Sequence, residues 1–351
     1  MKIALICPTN MLYMPYVNNY EKILKESNAD YTIINWDRFH MENIGSILKH
    51  RDKKIGHQRN YFDYLKYKKF IIEKLNETRY DKLIIFGLQL TYFLKNYLVN
   101  SYKGKYIIDI RDHNKIIKLI NIIKLIDNST FTVISSPGYK LWLPESDKYI
   151  INHNTQIDNL EELRTLDIKL DKGKINISCI GAIRDYKVNI EFINSLKNKY
   201  NVNLFYHGDG IINDDIKKHL IDNKIENVIF TGMYTQEKEE ELYIKSDFIN
   251  VLRYNDGANN KTALPNRLYN SALYGKQMIA LESTYLAEQI KEYKLGIVLD
   301  SFENIEEKIN QYIKEFNEIE YGKKRVSFFE KVINDNTHFR MKLKEFIEII
   351  I

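Results

Sequence analysis

The sequence predicts an α/β protein built from two doubly wound domains, and three observations carry that prediction. At 351 residues the chain is too long for one core of ordinary size and fits two. Apolar runs of strand length alternate with helix-length patterns along most of it, the rhythm of parallel βαβ units. The stretch from Asn259 to Glu282 joins a polar loop, a short helical pattern in Leu264, Leu268, Ala272 and Leu273, and a compact apolar strand, Met278 to Leu281. Pro265 at the first helical position and Gly275 at the close give that helix the expected ends. The predicted division is an N-terminal domain over 1–158, a linker over 159–174, a C-terminal domain over 175–324, and a closing helix over 325–351.

Taken in order, Lys2–Cys7 reads as a buried strand. A Pro-Thr-Asn loop without glycine follows, then a helix through Tyr20–Glu26 and a second strand, Tyr31–Trp36. Residues 48–75 are basic and aromatic: Lys and Arg outnumber acids about three to one, with Tyr61, Phe62, Tyr64, Tyr67 and Phe70 interleaved. Two readings fit that pattern, a helix whose ring stripe packs on the sheet or a face for anionic headgroups. Nucleic acid fits less well, because no nucleic-acid motif accompanies the patch. Lys82–Phe86 and Tyr106–Ile110 are further strands. Ligands of open α/β sheets sit at the carboxyl ends of strands, which singles out Asp109, Arg111, Asp112 and His113. A structural carboxylate is the plain alternative for Asp109. Residues 114–127 read as one helix, apolar over most of its circumference, and so either deeply packed or touching lipid. Thr130–Ile134, with a sharp Ser-Ser-Pro-Gly exit, and Tyr149–Ile151 complete the first set of strands.

The second set is Ile175–Ile180, Asn203–Tyr206, Val228–Phe230, Phe248–Leu252, Met278–Leu281 and Gly296–Leu299, with a helical pattern after Phe302. Arg184 and Lys187 follow the first of these strands. Thr235–Glu241 reads as a capped helix start. The loop over 257–261 feeds the helix at Pro265, where free N–H groups and the positive dipole end suit a phosphate.

Composition narrows the class. The hydrophobic fraction of 44% and charged fraction of 28% are those of a globular protein. The net charge of +5 is unevenly placed: residues 1–170 hold 26 Lys/Arg against 19 Asp/Glu, a net of +7, and the remainder 26 against 28. Cys7 and Cys179 both lie in apolar runs and form no disulfide framework or metal-ligand spacing, which points to a reducing, cytoplasmic compartment. The opening MKIALICPTN turns polar too early for a signal peptide, and no apolar run reaches the roughly 20 residues of a membrane span.

Several blocks resemble one family. Pro265–Asn270 (PNRLYN), four residues, then GKQMIA is similar to a block of the GT-B glycosyltransferases, above all bacterial enzymes that build capsular and other surface polysaccharides. GAIRDYK from Gly181, TGMYTQE from Thr231, DIRD from Asp109, SSPGYKLWLP from Ser135 and YIINHN from Tyr149 resemble further blocks of that family, in the same order. The resemblance implies the GT-B fold, two Rossmann-like domains facing a cleft, and transfer of a hexose from a nucleotide-sugar to a glycan or lipid-linked glycan, with retention in most relatives. It implies no cofactor and no metal. Lys187, six residues after Gly181, matches the family lysine on the diphosphate, and Arg184 stands two residues beyond the family arginine's place, which Ala182 holds. Gly232 and Tyr234 fall in the block around the base. Asn259, Lys261, Pro265 and Asn266 would face phosphate or donor sugar. Asn270 replaces the family glutamate that holds the ribose, and Thr262 replaces its partner acid. Asp112 is the favoured acceptor-side group, with His113 and Asp109 beside it. In membrane-associated relatives the acceptor domain contacts lipid, which here would involve residues 48–75 and 114–127 at the inner face of the membrane. Two other readings remain open: a non-catalytic partner subunit, suggested by Ala182, Thr262 and Asn270, and a nucleotide-sugar epimerase using Asp109, Asp112, His113 or His207.

Overall fold

The computed structural model describes residues 1–166, 168, 170 and 173–348. It divides into two compact units, Met1–Gln156 with the chain from Asn334 onward, and Ile157–Ile333.

The first unit is built on β1 (Lys2–Cys7), α1 (Val17–Glu26), β2 (Asp30–Trp36), β3 (Leu48–His50), α2 (Tyr61–Glu77), β4 (Lys82–Phe86), α3 (Leu88–Ser101), β5 (Tyr106–Ile110), α4 (Ile122–Asn128), β6 (Phe131–Ile134) and β7 (Tyr149–Ile151). Seven parallel strands lie in the order β3-β2-β1-β4-β5-β6-β7. A parallel sheet needs both faces covered, and β1, β4 and β5 are buried along almost their whole length. Ile3, Leu5, Ile84, Phe86 and Ile107 pack with Phe339, Leu343 and Phe346 from the end of the chain. Lys82 snorkels through that layer and donates its ammonium to the Phe346 carbonyl.

Two sequence expectations change here. Residues 48–75 are not one helix: three residues pair as β3 on β2, and α2 begins only after Asn60, which forms a capping box with Asp63. Much of the segment's positive charge is paired, Arg51 with Asp37, Lys54 with Asp63 and Arg59 with Asp52. Tyr64 and Tyr67 turn inward against Trp36, while Tyr61 and Phe62 stay exposed. Residues 114–127 are likewise not one helix. The side chains of Asn114 and Asn121 accept the backbone N–H groups of Ile116 and Lys124, so the run breaks into a 3-10 turn, Lys115–Leu119, and α4. Ile120, Ile122, Leu125 and Ile126 are buried, and Leu119 and Ile123 are not.

The second unit comprises β8 (Ile175–Ile180), α5 (Tyr186–Ser195), β9 (Val202–His207), α6 (Asn213–Asp222), β10 (Val228–Gly232), α7 (Gln236–Ile244), β11 (Phe248–Asn250), α8 (Ala258–Thr262), α9 (Asn266–Leu273), β12 (Gln277–Leu281), α10 (Tyr285–Glu292), β13 (Gly296–Leu299), α11 (Ile305–Glu315) and the first part of α12 (Glu318–Glu348). Its six parallel strands run β10-β9-β8-β11-β12-β13, so the order reverses between β8 and β11. Cores lie on both faces. One gathers Ile177, Phe192, Leu204 and Phe248, the other Ile249, Leu268, Tyr269, Met278, Phe328 and Phe329.

Of the expected linker, residues 167, 169, 171 and 172 lie outside the described residues, as do 349–351 of the expected closing segment. The described part is bonded to the second unit: Arg164 N–H donates to the Leu273 carbonyl at 3.2 Å. Arg325, itself buried, donates to the carbonyls of Arg164, Ala272 and Leu273. It thereby closes the carboxyl end of α9, where a cation also meets the negative end of the helix dipole.

Candidate functional site

Ligands of doubly wound sheets bind beyond the carboxyl ends of the strands where the order reverses. In the second unit that point lies between β8 and β11, and one side chain spans it. Arg267, one residue into α9, donates through Nη1 to the Asn250 carbonyl at 3.0 Å and to Cys179 Sγ at 3.2 Å, and through Nη2 to the Ala182 carbonyl at 3.5 Å. Sequence reading passed over this arginine. The signal available was its place in the Pro-Asn-Arg start of the helix.

Around Arg267 the loops after β8 and β9 run backbone to backbone. Gly181 N–H donates to the His207 carbonyl at 2.9 Å, Ile183 N–H to the Asp209 carbonyl at 3.1 Å, and Gly208 N–H to the Gly232 carbonyl at 2.8 Å. The approach is too close for side chains. A Cβ on Gly208 would sit 2.1 Å from the Gly181 oxygen, and one on Gly210 would sit 1.9 Å from the Ile183 oxygen. Asn189, steadied by the Tyr206 hydroxyl, donates to the carbonyls of Arg184 and Asp185 at 2.6 and 3.1 Å. Asp185 turns the chain in the left-handed region at φ 61°. The result is a fixed loop with the exposed cations Arg184 and Lys187 on its outer side. The Lys187 ammonium lies 5.4 Å from the Tyr254 ring centre and 3.9 Å from Glu191.

The other donor-side residues take these positions. Gly232 ends β10 at φ 77°. The Tyr234 hydroxyl is 3.9 Å from where a Cβ on Gly181 would lie, and burial followed by the Glu239 charge pushes it up to about 12. Asn259 and Lys261 are not on a loop, because residues 258–262 form the short helix α8, in which Thr262 is buried and back-bonds to the Ala258 carbonyl at 2.6 Å. Pro265 is the residue before α9 rather than its first helical position, and Asn266 opens the helix, exposed. Asn270 donates to Glu239 Oε1 at 3.1 Å. Thr235 precedes α7 without a side-chain cap.

The acceptor-side candidates belong to the first unit. Asp109 is fully buried, with both oxygens held by Arg111 and one also by the Tyr20 hydroxyl at 2.5 Å. Arg111 continues to Asn152 and Asn154. That buried carboxylate fixes Arg111, the arrangement the structural alternative describes. Asp112 is exposed just beyond β5. His113 meets the Trp142 ring edge-on at 5.1 Å, and burial, then Lys118, lowers its pKa below 6.5, which leaves a neutral ring at neutral pH.

His207 is buried, and its Nδ1 lies 2.8 Å from Thr231 Oγ1. Burial, then Lys245, depresses its pKa below 6.5. The fold therefore prefers the neutral ring. Its stabilising contribution is present above the ordinary histidine value and is lost as pH falls through the depressed one. The melting temperature is expected to drop as pH falls below about 7, and His207→Asn to flatten part of that slope. His50 and His113, shifted the same way, retain the rest.

No group of three or more His, Cys, Asp or Glu gathers as a metal site among the described residues, and no helix there is long and apolar enough to cross a membrane. A cavity of about 800 Å³ lies in the second unit beside β13, lined by Lys291, Asp300, Lys308, Tyr312 and Glu320, away from the β8/β11 reversal.

No family model matches the chain, and no curated protein sequence does. Solved structures do match. A glycosyltransferase from Rickettsia africae aligns over 99% of both chains at 15% identity with a TM-score of 0.68. Anabaena HepE, solved with UDP and glucose, aligns over 98% of this chain and 100% of its own at 12% identity and 0.69. The lipopolysaccharide outer core galactosyltransferase WaaB aligns over 97% and 99% at 14% and 0.67. The chain has the GT-B fold. That GT-B architecture brings Arg184, Lys187, Tyr234, Arg267 and Asn270 onto the loops and helix starts at one edge of the second sheet.

Proposed function

We propose that this GT-B protein is a glycosyltransferase that takes a hexose from a nucleotide-sugar and passes it to a surface glycan, lipid-linked in the simplest case. The observation that carries the reading is the loop from Gly181 to Lys187, bonded down on one side by the β9 loop and offering Arg184 and Lys187 on the other. As the bond from the anomeric carbon to the phosphate oxygen breaks, the departing diphosphate gains negative charge, and cations already in place stabilise it without reorganisation. The acceptor hydroxyl oxygen forms the new bond to the anomeric carbon; with retention its proton passes to the departing phosphate oxygen on the same face, and with inversion to a protein base, for which the exposed Asp112 carboxylate and the neutral His113 ring are the candidates. Retention at the anomeric carbon is the expectation from the family resemblance. UDP in the HepE structure makes a uridine nucleotide the first donor to try. The exposed Tyr61, Phe62, Leu119 and Ile123, among lysines, support a peripheral membrane role for the acceptor unit.

The test is to incubate the protein with nucleotide-sugars and lipid-linked glycans and to follow nucleoside diphosphate release. Acceptor-dependent release from one donor class is the expected result. Nucleotide binding without release under any acceptor would favour the non-catalytic partner reading, which Thr262 and Asn270 in place of acids support.

A further inference from the structure

Glu239 lies in the first turns of α7, in a stretch where the sequence marked only Thr235 as a cap. Its Oε1 accepts the Asn270 amide at 3.1 Å. The residue is half-buried, yet among the described residues that amide is its one hydrogen-bond partner, and no lysine or arginine forms an ion pair with it. Burial pushes its carboxyl up, and the Asn270 bond only partly offsets this. A carboxylate has about four acceptor positions, so most of the capacity of this one is unused in a place where water is already reduced.

Its surroundings put it with the ligand loops. Asn270 stands one turn along α9 from Arg267, which spans the β8/β11 reversal. The Tyr234 hydroxyl feels the Glu239 charge and lies 3.9 Å from the Cβ position of Gly181. A phosphate would be repelled by Glu239 and has Arg184, Lys187 and Arg267 to choose instead. What suits a carboxylate short of donors is a pair of adjacent hydroxyls, and a ribonucleotide carries one such pair at a fixed distance from its phosphates.

We propose that Glu239, oriented by Asn270, receives the 2′- and 3′-hydroxyls of the nucleotide's ribose and so selects ribonucleotides over deoxyribonucleotides. The role sits on α7 rather than at position 270, where asparagine serves to orient the acid. The proposal rests on the nucleotide-sugar reading above. Two oxygens from Glu239 facing a diol form charge-assisted bonds, and losing one weakens binding by about tenfold or more.

The experiment is titration of the full chain with UDP and 2′-deoxy-UDP, in the wild type, Glu239→Gln and Glu239→Asp. Neither probe carries a sugar, so donor-sugar hydroxyls do not contribute. Gln keeps an acceptor for Asn270 but loses the charge, and Asp keeps the charge but withdraws it by one methylene. The expected result is a preference for UDP of about tenfold or more in the wild type that collapses toward unity in both variants. A preference retained in both folded variants, or absent from the wild type while UDP still binds, overturns the role of Glu239 and leaves the nucleotide reading standing. Failure of the wild type to bind any nucleotide, with GDP and 2′-deoxy-GDP also tried, overturns both.

Discussion

Gly208→Ala is expected to destabilise the second unit by about 3 kcal/mol or more and to weaken nucleotide-sugar binding with it. Gly208 sits at φ 130°, and the added methyl would meet the Gly181 carbonyl carbon at 2.9 Å and its oxygen at 2.1 Å. Both contacts are backbone, so no side chain can swing away. The chain must either leave its left-handed conformation or push the two loops apart, which breaks the bonds from Gly181 to His207 and from Ile183 to Asp209. The loop that carries Arg184 and Lys187 would move as a consequence. Urea unfolding gives the loss of stability, and titration gives the loss of binding. An alanine variant as stable as the wild type would mean that the two loops are not held as described.

Arg325→Met comes next, at about 2–3 kcal/mol. Methionine matches the length and burial of the arginine stem but donates nothing. The Arg164 carbonyl, bonded at 2.8 Å, loses this donor outright, while Leu273, bonded at 2.7 Å, keeps the Arg164 N–H and Ala272 keeps the Gly275 N–H. All three lose a charge-assisted bond, and an acceptor left unpaired in a partly buried place costs about 1–3 kcal/mol. Desolvation depresses the arginine's pKa, yet it remains the only multi-branched donor that can reach all three at once. Arg325→Lys is expected to recover only part of the loss. Since these carbonyls fix the carboxyl end of α9, the variant should also loosen the helix that carries Arg267 and Asn270. Equilibrium unfolding followed by circular dichroism measures the effect.

Most of the architecture was legible because parallel strands buried on both faces are written as dense apolar runs. Lys2–Cys7, Lys82–Phe86, Tyr106–Ile110, Tyr149–Ile151, Ile175–Ile180 and Gly296–Leu299 fall where sequence reading put them. What escaped were elements decided by only a few atoms. β3 is three residues of mixed polarity, recognisable only once β2 is beside it. Two asparagine side chains cut residues 114–127 in two, a local competition that periodicity does not register. Asn259 and Lys261, expected on a loop, lie in a five-residue helix that Thr262 ends by bonding back to Ala258.

The site divides in the same way. Lys187 is marked by family spacing and Arg184 only by standing two residues beyond the family arginine's place, on the polar loop after a buried strand that is a general signal. The sequence favours Asp112 over Asp109 through the family resemblance alone; the bonds of Asp109 to Tyr20 and Arg111 are visible only in the fold. Arg267 and Glu239 escaped for a related reason. Their significance lies in contacts across 88 and 31 residues of chain, with Cys179 and Asn270 respectively.

The central claim is that the β8/β11 edge of the second unit holds a nucleotide diphosphate through cations on the Gly181 loop. Isothermal titration of the full chain against UDP-, GDP-, CMP- and dTDP-sugars, with Lys187→Ala in parallel, tests it most directly. One nucleotide class is expected to bind, and Lys187→Ala to weaken that binding by about tenfold or more without unfolding the protein. Binding equally tight in the variant, or no binding by the wild type to any of the four classes, would contradict it.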